Sequence, residues 1–313
     1  MKLVFCGTPR FAVPTLDALL GAGHEIPLVV TQPDRPVGRS QELVAPPVKQ
    51  NALAAGLNVA QPEKIRNNTE FRTQLEQIAP EAIVVVAYGR IIPPWMLALP
   101  RFGCINLHAS LLPKYRGAAP IQWAVAMGET VTGNTTMLLE EGLDTGPILM
   151  QQELAIGPDQ TASELFDILA ESGAPLIVET LRGLADRSLS PMPQDDSQAT
   201  LAPLLNREDG RMDFGARTAE ELRNRWRGFQ PWPGAFTELS GKKLIVHHLK
   251  ASMVAPSGEV QPGEVRILDG HLLVSCAHGT WLELEELQLE GKKRMVAAEF
   301  LRGTQLKSGT RLG

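Results

Sequence analysis

Three polar residues in the first half of the chain could together carry out chemistry on a carbonyl group. Asn106 and His108 stand two residues apart at the end of an apolar segment that reads as a strand, so their side chains project from the same face. Asp144 stands further along, in the sequence Leu-Asp-Thr-Gly-Pro, where it could orient the histidine and favour its protonated form. The amide and the imidazolium would stabilise the oxyanion of a tetrahedral intermediate, and the carboxylate would help to remove a proton. The set therefore suits acyl-type transfer.

Each of these residues also has a purely structural interpretation. An isolated Asn-x-His is more often a hydrogen-bonded strand end than a catalytic pair, and an aspartate before Thr-Gly is typical of a turn. No serine or cysteine stands in a nucleophile elbow, and the first strand–turn, Gly7 to Arg10, lacks the GxGxxG pattern of dinucleotide-binding folds. The residues by themselves thus predict an α/β enzyme that handles a carbonyl group and carries a β-barrel appendage.

The first half of the chain predicts a scaffold for these residues by alternating strands with helices. Residues 82–87 (AIVVVA) form a continuous apolar run rich in β-branched residues, typical of a strand buried on both faces. Repeated alternation predicts a mainly parallel sheet covered by helices, in which ligands bind beyond the carboxyl ends of the strands. The predicted strands are 2–6, 26–30, 82–87, 102–107, 135–139 and 147–151, and the predicted helices are 11–20, 48–55, 70–78, 121–127 and 161–184.

The second half of the chain has a different organisation. Residues 188–206 hold three prolines among polar and small residues, a composition typical of a linker. One helix at 218–227 and several short strands between glycines then predict a small β-barrel. We therefore predict a Rossmann-like domain over 1–187, a linker over 188–206 and a C-terminal barrel over 207–313. Trp232, between two prolines, is predicted to be a buried anchor rather than a stacking platform, because it buries a large area at low entropic cost.

Composition and charge indicate a protein of the cytoplasm. The 313 residues include 43% hydrophobic and 21% charged residues, and no window is long and apolar enough for a signal peptide or a membrane span. Cys6, Cys104 and Cys276 are far apart, which predicts buried, reduced thiols and no metal site. The net charge of −5 divides into +2 from Arg207 onward and −7 before it, so the C-terminal part is relatively basic.

Two longer segments resemble the folate-dependent formyltransferase family: INLHASLLPKYRGAAPIQW at 105–123 and LDTGPIL at 143–149. The resemblance implies that Asn106, His108 and Asp144 are a catalytic trio and that 10-formyltetrahydrofolate is the co-substrate, with no metal. It implies a Rossmann-like formyltransferase domain followed by an OB-like β-barrel. It also implies folate contacts from the SLLP loop and from the apolar wall at 84–93 that receives the pterin, namely Ser110, Leu111, Leu112, Pro113, Val86, Tyr88, Gly89 and Ile91.

Four further segments are similar to the branch of this family that formylates methionyl initiator tRNA. They are FCGTPRFAVPTLDALL at 5–20, TQPDRPVGR at 31–39, RGAAPI at 116–121 and FQPWPGAFT at 229–237, and the resemblance covers nearly the whole chain. It implies formylation of charged initiator tRNA for translation initiation, by a monomer. The 31–39 loop would enter the acceptor end of the tRNA, and the barrel and linker would touch the tRNA as well. The implied tRNA contacts are Arg35, Arg39 and Lys49.

Two positions depart from the family pattern. Members usually carry a basic pair in the insertion loop, where this chain has Gln41 and Glu42. One interpretation is weaker or differently shared contact with tRNA, because each lost phosphate contact weakens binding and flattens its salt dependence. The other is compensation by Arg35, Lys49 or the basic residues of the C-terminal part. Asn134 stands where the family more often has an apolar residue, and we interpret it as a residue at a strand edge.

Three other functions stay open at this level. A formyltransferase that acts on a nucleotide-linked amino sugar would share the trio, although the RGAAPI motif and the 31–39 loop disfavour it. A hydrolase would release formate from the same folate without an acceptor. A non-catalytic RNA-binding protein could use the barrel for single strands, but the intact trio and the acidic overall charge disfavour that class.

Overall fold

The computed structural model describes residues 1–38, 41–256, 258–304 and 306–313. The chain divides into two compact units. The predicted division at a 188–206 linker stays a prediction. Unit 1 comprises Met1–Pro120, Val131–Ala155 and Glu164–Pro203, and unit 2 comprises Ile121–Thr130, Ile156–Ser163 and Leu204–Gly313.

Unit 1 is built on a seven-stranded sheet with the order β5-β2-β1-β6-β7-β8-β9. The first five strands in this order pair in parallel, whereas β8 and β9 are antiparallel additions. A separate hairpin is formed by β3 and β4. The strands are β1 (Lys2–Gly7), β2 (Glu25–Val30), β3 (Arg35–Val37), β4 (Glu42–Val44), β5 (Val59–Ala60), β6 (Ala82–Val86), β7 (Cys104–His108), β8 (Val131–Leu138) and β9 (Ile148–Ala155).

Burial of the central strands explains why their sequences are continuous apolar runs. Every residue of β6 is at most 5% exposed, as expected for a parallel strand covered on both faces. Helix boundaries follow local signals: the side chain of Asn68 caps the helix at Thr69–Ile78, which buries Phe71 and Leu75. The helices before residue 186 are α1 (Val13–Gly21), α2 (Pro47–Ala54), α3 (Thr69–Ile78), α4 (Pro94–Leu97), α5 (Pro120–Ala126) and α6 (Ala162–Ala185), and of these α5 belongs to unit 2 from Ile121 onward.

Unit 2 contains a six-stranded antiparallel sheet with the order β10-β11-β14-β13-β12, in which β15 also pairs with β14. Irregular register between Val246 and Leu249 bends the long β11–β14 pair, and such bends curve a sheet toward a barrel. The predicted fold class, a mainly parallel α/β domain with a barrel-like second domain, is confirmed. The elements are α7 (Ala219–Gly228), β10 (Ala235–Leu239), β11 (Lys242–Ala251), β12 (Val265–Leu268), β13 (His271–Ser275), β14 (Trp281–Leu289), β15 (Met295–Val296) and α8 (Ala297–Gly303).

Two sequence interpretations of single residues were wrong. Asn134 does not lie at an edge: β8 runs between β7 and β9, and the side chain is completely buried. Its amide donates hydrogen bonds to the Leu169 carbonyl at 2.9 Å and to Ser172 Oγ at 3.0 Å, which lets a polar group replace an apolar one under α6. Trp232 is 54% exposed and therefore is not the buried anchor that its flanking prolines suggested.

The three cysteines are buried, as the sequence predicted. Cys6, Cys104 and Cys276 are free and buried, and burial raises the pKa of the Cys104 and Cys276 thiols to about 12. These thiols are therefore poor nucleophiles at neutral pH. Within the described ranges, none of the helices combines the length and hydrophobicity that crossing a membrane requires.

Candidate active site

The predicted catalytic residues lie where neighbouring strands of unit 1 end. Strands β6 and β7 are parallel neighbours, and Asn106 is in register with Val85. The loops after both strands therefore leave the sheet at the same carboxyl edge, where α/β folds bind ligands. On the other side of β7, His108 is in register with Thr135 of the antiparallel strand β8. This edge carries the polar side chains that the sequence singled out.

His108 is held in a defined orientation by the chain that follows it. The ring is 6% exposed, and its Nε2 donates a hydrogen bond to the Tyr115 carbonyl at 2.9 Å. Because a carbonyl only accepts, this contact fixes the proton on Nε2 in the neutral ring. Nδ1 lies 3.7 Å from Asp144 Oδ2 and makes no hydrogen bond with a described residue. In the protonated ring, Nδ1–H is thus the group available to a substrate.

Asp144 approaches this histidine from a tight loop. Its backbone is left-handed, with φ of +52°, and its Oδ2 accepts a hydrogen bond from the Gly117 N–H at 2.8 Å. Gly146 allows the loop to return beside β8, since a Cβ there would lie 1.8 Å from the Leu138 carbonyl oxygen. The 3.7 Å gap to His108 exceeds a hydrogen bond but is within the range of an ion pair with an imidazolium.

Asn106 completes the polar edge. It lies two residues before His108 on β7, so both side chains are on one face of the strand. Its side chain is half-buried, and none of the described residues forms a hydrogen bond with its amide. A partly exposed amide without a protein partner can donate to a bound oxygen atom. The arrangement therefore offers two donors and one carboxylate, and their role as an oxyanion site stays a prediction.

The SLLP loop that follows His108 is anchored by one threonine. Thr135 Oγ1 donates to the Ser110 carbonyl at 2.6 Å and accepts from the Leu112 N–H at 3.1 Å. The side chains of Ser110 and Leu112 are buried, whereas those of Leu111 and Pro113 stay partly exposed. The latter two are therefore the members of the loop that offer side-chain surface to a ligand. The four folate contacts in this loop stay predictions.

The segment after β6 shows the same division into buried and exposed positions. Val86 and Tyr88 are buried, and the Tyr88 carbonyl accepts hydrogen bonds from Thr8 Oγ1 at 3.0 Å and Gln32 Nε2 at 3.1 Å. Gly89 is exposed and Ile91 is 89% exposed. The segment therefore combines a buried part, held by hydrogen bonds to the Tyr88 carbonyl, with an exposed apolar residue, Ile91. Its predicted role as the pterin wall stays a prediction.

The sequence and the architecture match known proteins. The formyl transferase family model matches residues 1–181, and the model of the formyl transferase C-terminal domain matches residues 204–305. The chain belongs to the formyl transferase family. The predicted family membership is thus confirmed.

Curated relatives and solved structures refine this assignment. The chain is 67% identical over 313 residues to a methionyl-tRNA formyltransferase from Acidobacterium capsulatum, covering 100% of both chains. It is 57% identical to the protein of the same name from Koribacter versatilis, covering 100% of this chain and 99% of the relative. An N-formyltransferase structure from Helicobacter canadensis, in complex with folinic acid and dTDP-3-aminofucose, has a TM-score of 0.66 at 18% identity and covers 91% of this chain and 98% of its own. That structural likeness shows a shared fold.

Two of the residues that the sequence predicts to contact tRNA, Arg35 and Lys49, lie in the β3 strand and in α2. Arg35 is exposed at the start of β3 and forms no ion pair with any residue that the structure describes. Lys49 donates hydrogen bonds to both carboxylate oxygens of Asp34, at 2.9 and 2.7 Å. The hydrogen bond from Gln61 and the contact with Lys49 lower the pKa of Asp34. Arg39 lies outside the described residues.

Two polar residues that hold the loops of the formyl transferase together could not be recognised from the sequence. Thr135 and Gln194 contact the loops that carry the predicted catalytic residues, yet neither stands in a recognisable motif. Thr135 lies on β8, and the alternation of residue types along this strand predicts only that the strand packs in the core. Gln194 lies in a proline-rich segment whose composition is typical of a linker. Only the pairing of β7 with β8 points to Thr135, because it is the residue opposite His108.

Proposed function

We propose that this formyl transferase moves the formyl group of 10-formyltetrahydrofolate to the free amine of methionyl initiator tRNA. The products are N-formylmethionyl-tRNA, which starts translation, and tetrahydrofolate. The observation that carries the proposal is the 67% identity to a methionyl-tRNA formyltransferase over the full length of both chains. The His108–Asp144 pair beside the free Asn106 amide supports it with the chemistry that formyl transfer needs. We place the reaction in the cytoplasm and propose that the enzyme acts as a monomer.

The proposed mechanism is direct attack of the uncharged amine on the formyl carbon. A bond forms between the amine nitrogen and the carbon, and the carbonyl electron pair moves to oxygen. Nδ1–H of protonated His108 and the Asn106 amide donate to that oxyanion. Collapse of the intermediate breaks the bond to N10 of the folate, and N10 takes up, as it leaves, the proton that the amine has lost to Asp144. The Asp144 carboxylate, 3.7 Å from the imidazole, balances the positive charge of the ring and accepts the proton that the amine loses.

Orientation of the two substrates accounts for much of the expected rate. Leu111 and Pro113 are partly exposed and Ile91 is exposed, so all three offer apolar surface for contact with a flat heterocycle. Effective molarities for well-oriented reactants reach about 10⁵ to 10⁸ M. An amine held near the formyl carbon therefore needs little further activation.

A formylation assay with purified enzyme tests this function. The acceptors are charged initiator tRNA, charged elongator tRNA, a dTDP-linked amino sugar, and none, each with 10-formyltetrahydrofolate. We expect the mass of one formyl group to be added to charged initiator tRNA only. Formylation of the amino sugar alone would place the enzyme with the sugar N-formyltransferases, and formate released without acceptor would indicate a hydrolase. Either result would contradict the proposal.

Substitution of Arg35 or Lys49 should weaken the binding of tRNA and leave the binding of folate unchanged. Arg35→Ala is expected to raise the KM for charged initiator tRNA about three- to tenfold and to reduce the salt slope of binding by about one, because one phosphate contact is lost. Lys49→Ala should have a smaller effect, since Lys49 must first leave Asp34. The KM for 10-formyltetrahydrofolate should stay within about twofold. Steady-state kinetics at several salt concentrations measure these values.

A matched substitution separates this effect from loss of any surface arginine. Arg72 is exposed on α3 and pairs with Glu76, so Arg72→Ala should leave both KM values unchanged. Equal increases of both KM values in Arg35→Ala would place Arg35 outside the tRNA contact. For Arg39 and for the barrel at 207–313, the proposal of tRNA contact rests on the sequence resemblance and on the relative basicity of the C-terminal part.

A further inference from the structure

The chain from Pro191 to Pro203 follows α6 and was predicted to be part of a linker, but it is bonded into unit 1. Met192 and Ile148 exchange two backbone hydrogen bonds, both 2.8 Å long. Ile148 begins β9, directly after the loop that carries Asp144. This part of the chain, which we call the 191–203 segment, therefore lies beside the predicted catalytic loops.

The segment is also paired with the loop that orients His108. Thr200 Oγ1 accepts a hydrogen bond from the Tyr115 N–H at 2.8 Å, and the Thr200 carbonyl accepts one from the Arg116 N–H at 2.9 Å. The Ala202 N–H donates to the Arg116 carbonyl at 2.7 Å. The two chains approach so closely that a Cβ on Gly117 would lie 2.6 Å from the Ala202 carbonyl oxygen. The contact leaves no room for a side chain at that position.

Gln194 joins the two loops through its side chain. Its Nε2 donates hydrogen bonds to the Asp144 carbonyl at 2.8 Å and to the Gly146 carbonyl at 2.7 Å. Its Oε1 accepts from Arg116 Nε at 3.0 Å and Nη2 at 2.7 Å. Both N–H groups and both lone pairs of the amide are thus used. A carboxylate at this position would lose the two donors, and an apolar side chain would lose all four bonds.

These contacts close a ring around Asp144. Gly117, the residue after Arg116, donates its N–H to the Asp144 carboxylate at 2.8 Å. Gln194 holds the backbone of Asp144 on one side and the side chain of Arg116 on the other. The left-handed conformation of Asp144 is unfavourable for a residue with a Cβ, so the fold must supply contacts that maintain it. Gln194 supplies two of them, at Asp144 and at Gly146.

We infer that Gln194 is a positioning residue for formyl transfer: it holds the Asp144 loop against the Arg116–Gly117 loop so that the carboxylate faces His108. The inference rests on the proposed function, because it gives Gln194 an effect on rate through Asp144. The amide of Gln194 makes all four of its hydrogen bonds within the protein, so it has none left for a substrate. Its removal should therefore lower kcat and leave the substrate affinities largely unchanged.

The test is a double-mutant cycle between Gln194→Glu and Asp144→Asn. The glutamate keeps the partner of Arg116 and loses the two donors to the Asp144 loop. We expect Gln194→Glu to lower kcat about 10- to 100-fold, because a displacement of about 1 Å can cost 10²-fold. The KM for 10-formyltetrahydrofolate and the dissociation constant of tetrahydrofolate should change by less than about twofold. In the Asp144→Asn background the same substitution should cost less than about threefold, since residues that act as a unit are not additive.

Two further variants keep the test decisive. Asn58→Asp makes the same change from amide to carboxylate and loses a donor to the Pro27 carbonyl, at the opposite edge of the sheet, and should leave kcat unchanged. Gln194→Met, which adds no charge, replaces Gln194→Glu if the latter does not fold. Unfolding of both Gln194 variants would overturn the inference, because it would make Gln194 a residue of general stability.

The outcomes also separate this inference from the proposed function. An unchanged kcat in Gln194→Glu, or a loss that is fully additive with Asp144→Asn, would overturn the positioning role alone. Full activity of the single variant Asp144→Asn would instead refute the catalytic assignment on which the inference rests. A kcat loss that disappears in the Asp144→Asn background supports both.

Discussion

Replacing His108 with alanine is expected to lower kcat for formylation about 10³-fold, which is about 4 kcal/mol in the barrier. The reason lies in how the ring is used. Nε2 is occupied by the Tyr115 carbonyl, so Nδ1–H is the ring donor left for the oxyanion. Alanine removes that donor and also the imidazole 3.7 Å from the Asp144 carboxylate. The rate of formylation of charged initiator tRNA at saturating concentrations of both substrates measures the effect.

Loss of fold must be separated from loss of chemistry in this variant. The ring is buried, and its removal breaks the hydrogen bond from Nε2 to the Tyr115 carbonyl, so the free energy of unfolding should fall by about 1 to 3 kcal/mol. Thermal unfolding and tetrahydrofolate binding show whether the variant is still folded. His24→Ala is the matched control, because His24 lies in unit 1 and its ring contacts the N-terminal amine that precedes β1. A folded His108→Ala enzyme with near-normal kcat would remove His108 from the mechanism.

Replacing Asp144 with asparagine should lower kcat about 10² to 10³-fold at unchanged KM for folate. The substitution is nearly isosteric, and the amide oxygen can still accept the hydrogen bond from the Gly117 N–H. What is lost is the negative charge 3.7 Å from the imidazole and the acceptor for the proton of the amine. Single-turnover formylation separates this chemical effect from product release.

Asp186→Asn provides the comparison for this charge removal. Asp186 accepts a hydrogen bond from the Ser188 N–H at 2.9 Å, much as Asp144 does from Gly117, but it lies exposed after α6. It should retain full activity. If Asp144→Asn were as active as Asp186→Asn, the carboxylate would serve only to build the loop, and the proposed proton acceptor would have to be sought elsewhere.

Much of the scaffold could be predicted because its signals are local. The run at 82–87 became β6 because five consecutive apolar residues can be buried only between two covered faces. The 70–78 prediction agrees with α3 to within one residue, since Asn68 caps its start through its own side chain. The sequence did not predict strand β10 or helix α8 as separate elements. A strand of that length is stabilised by its cross-strand partners more than by its own residues.

Single-residue environments were harder to predict. Asn134 was placed at an edge because a polar residue on a strand is usually exposed, yet β8 is an inner strand and α6 supplies acceptors above it. Trp232 was expected to be a buried anchor because a Trp beside rigid prolines buries a large area at low entropic cost, yet it is 54% exposed. Both outcomes depend on which elements lie over the residue, and that arrangement is set by the order of strands and helices.

The sequence by itself determined the two-part architecture, the family and the residue types of the polar edge. Asn106 and His108 share a face because alternate residues of a strand always do. Only the tertiary structure decided that Asp144 meets His108, that Thr135 anchors the SLLP loop, and that Gln194 closes the ring around Asp144. Hydrogen bonds require donors and acceptors from separate segments to come within about 3 Å at the right angle. The periodicity of one segment does not show which other segment it will contact. These contacts form only when the sheet brings the strand ends and the 191–203 segment together.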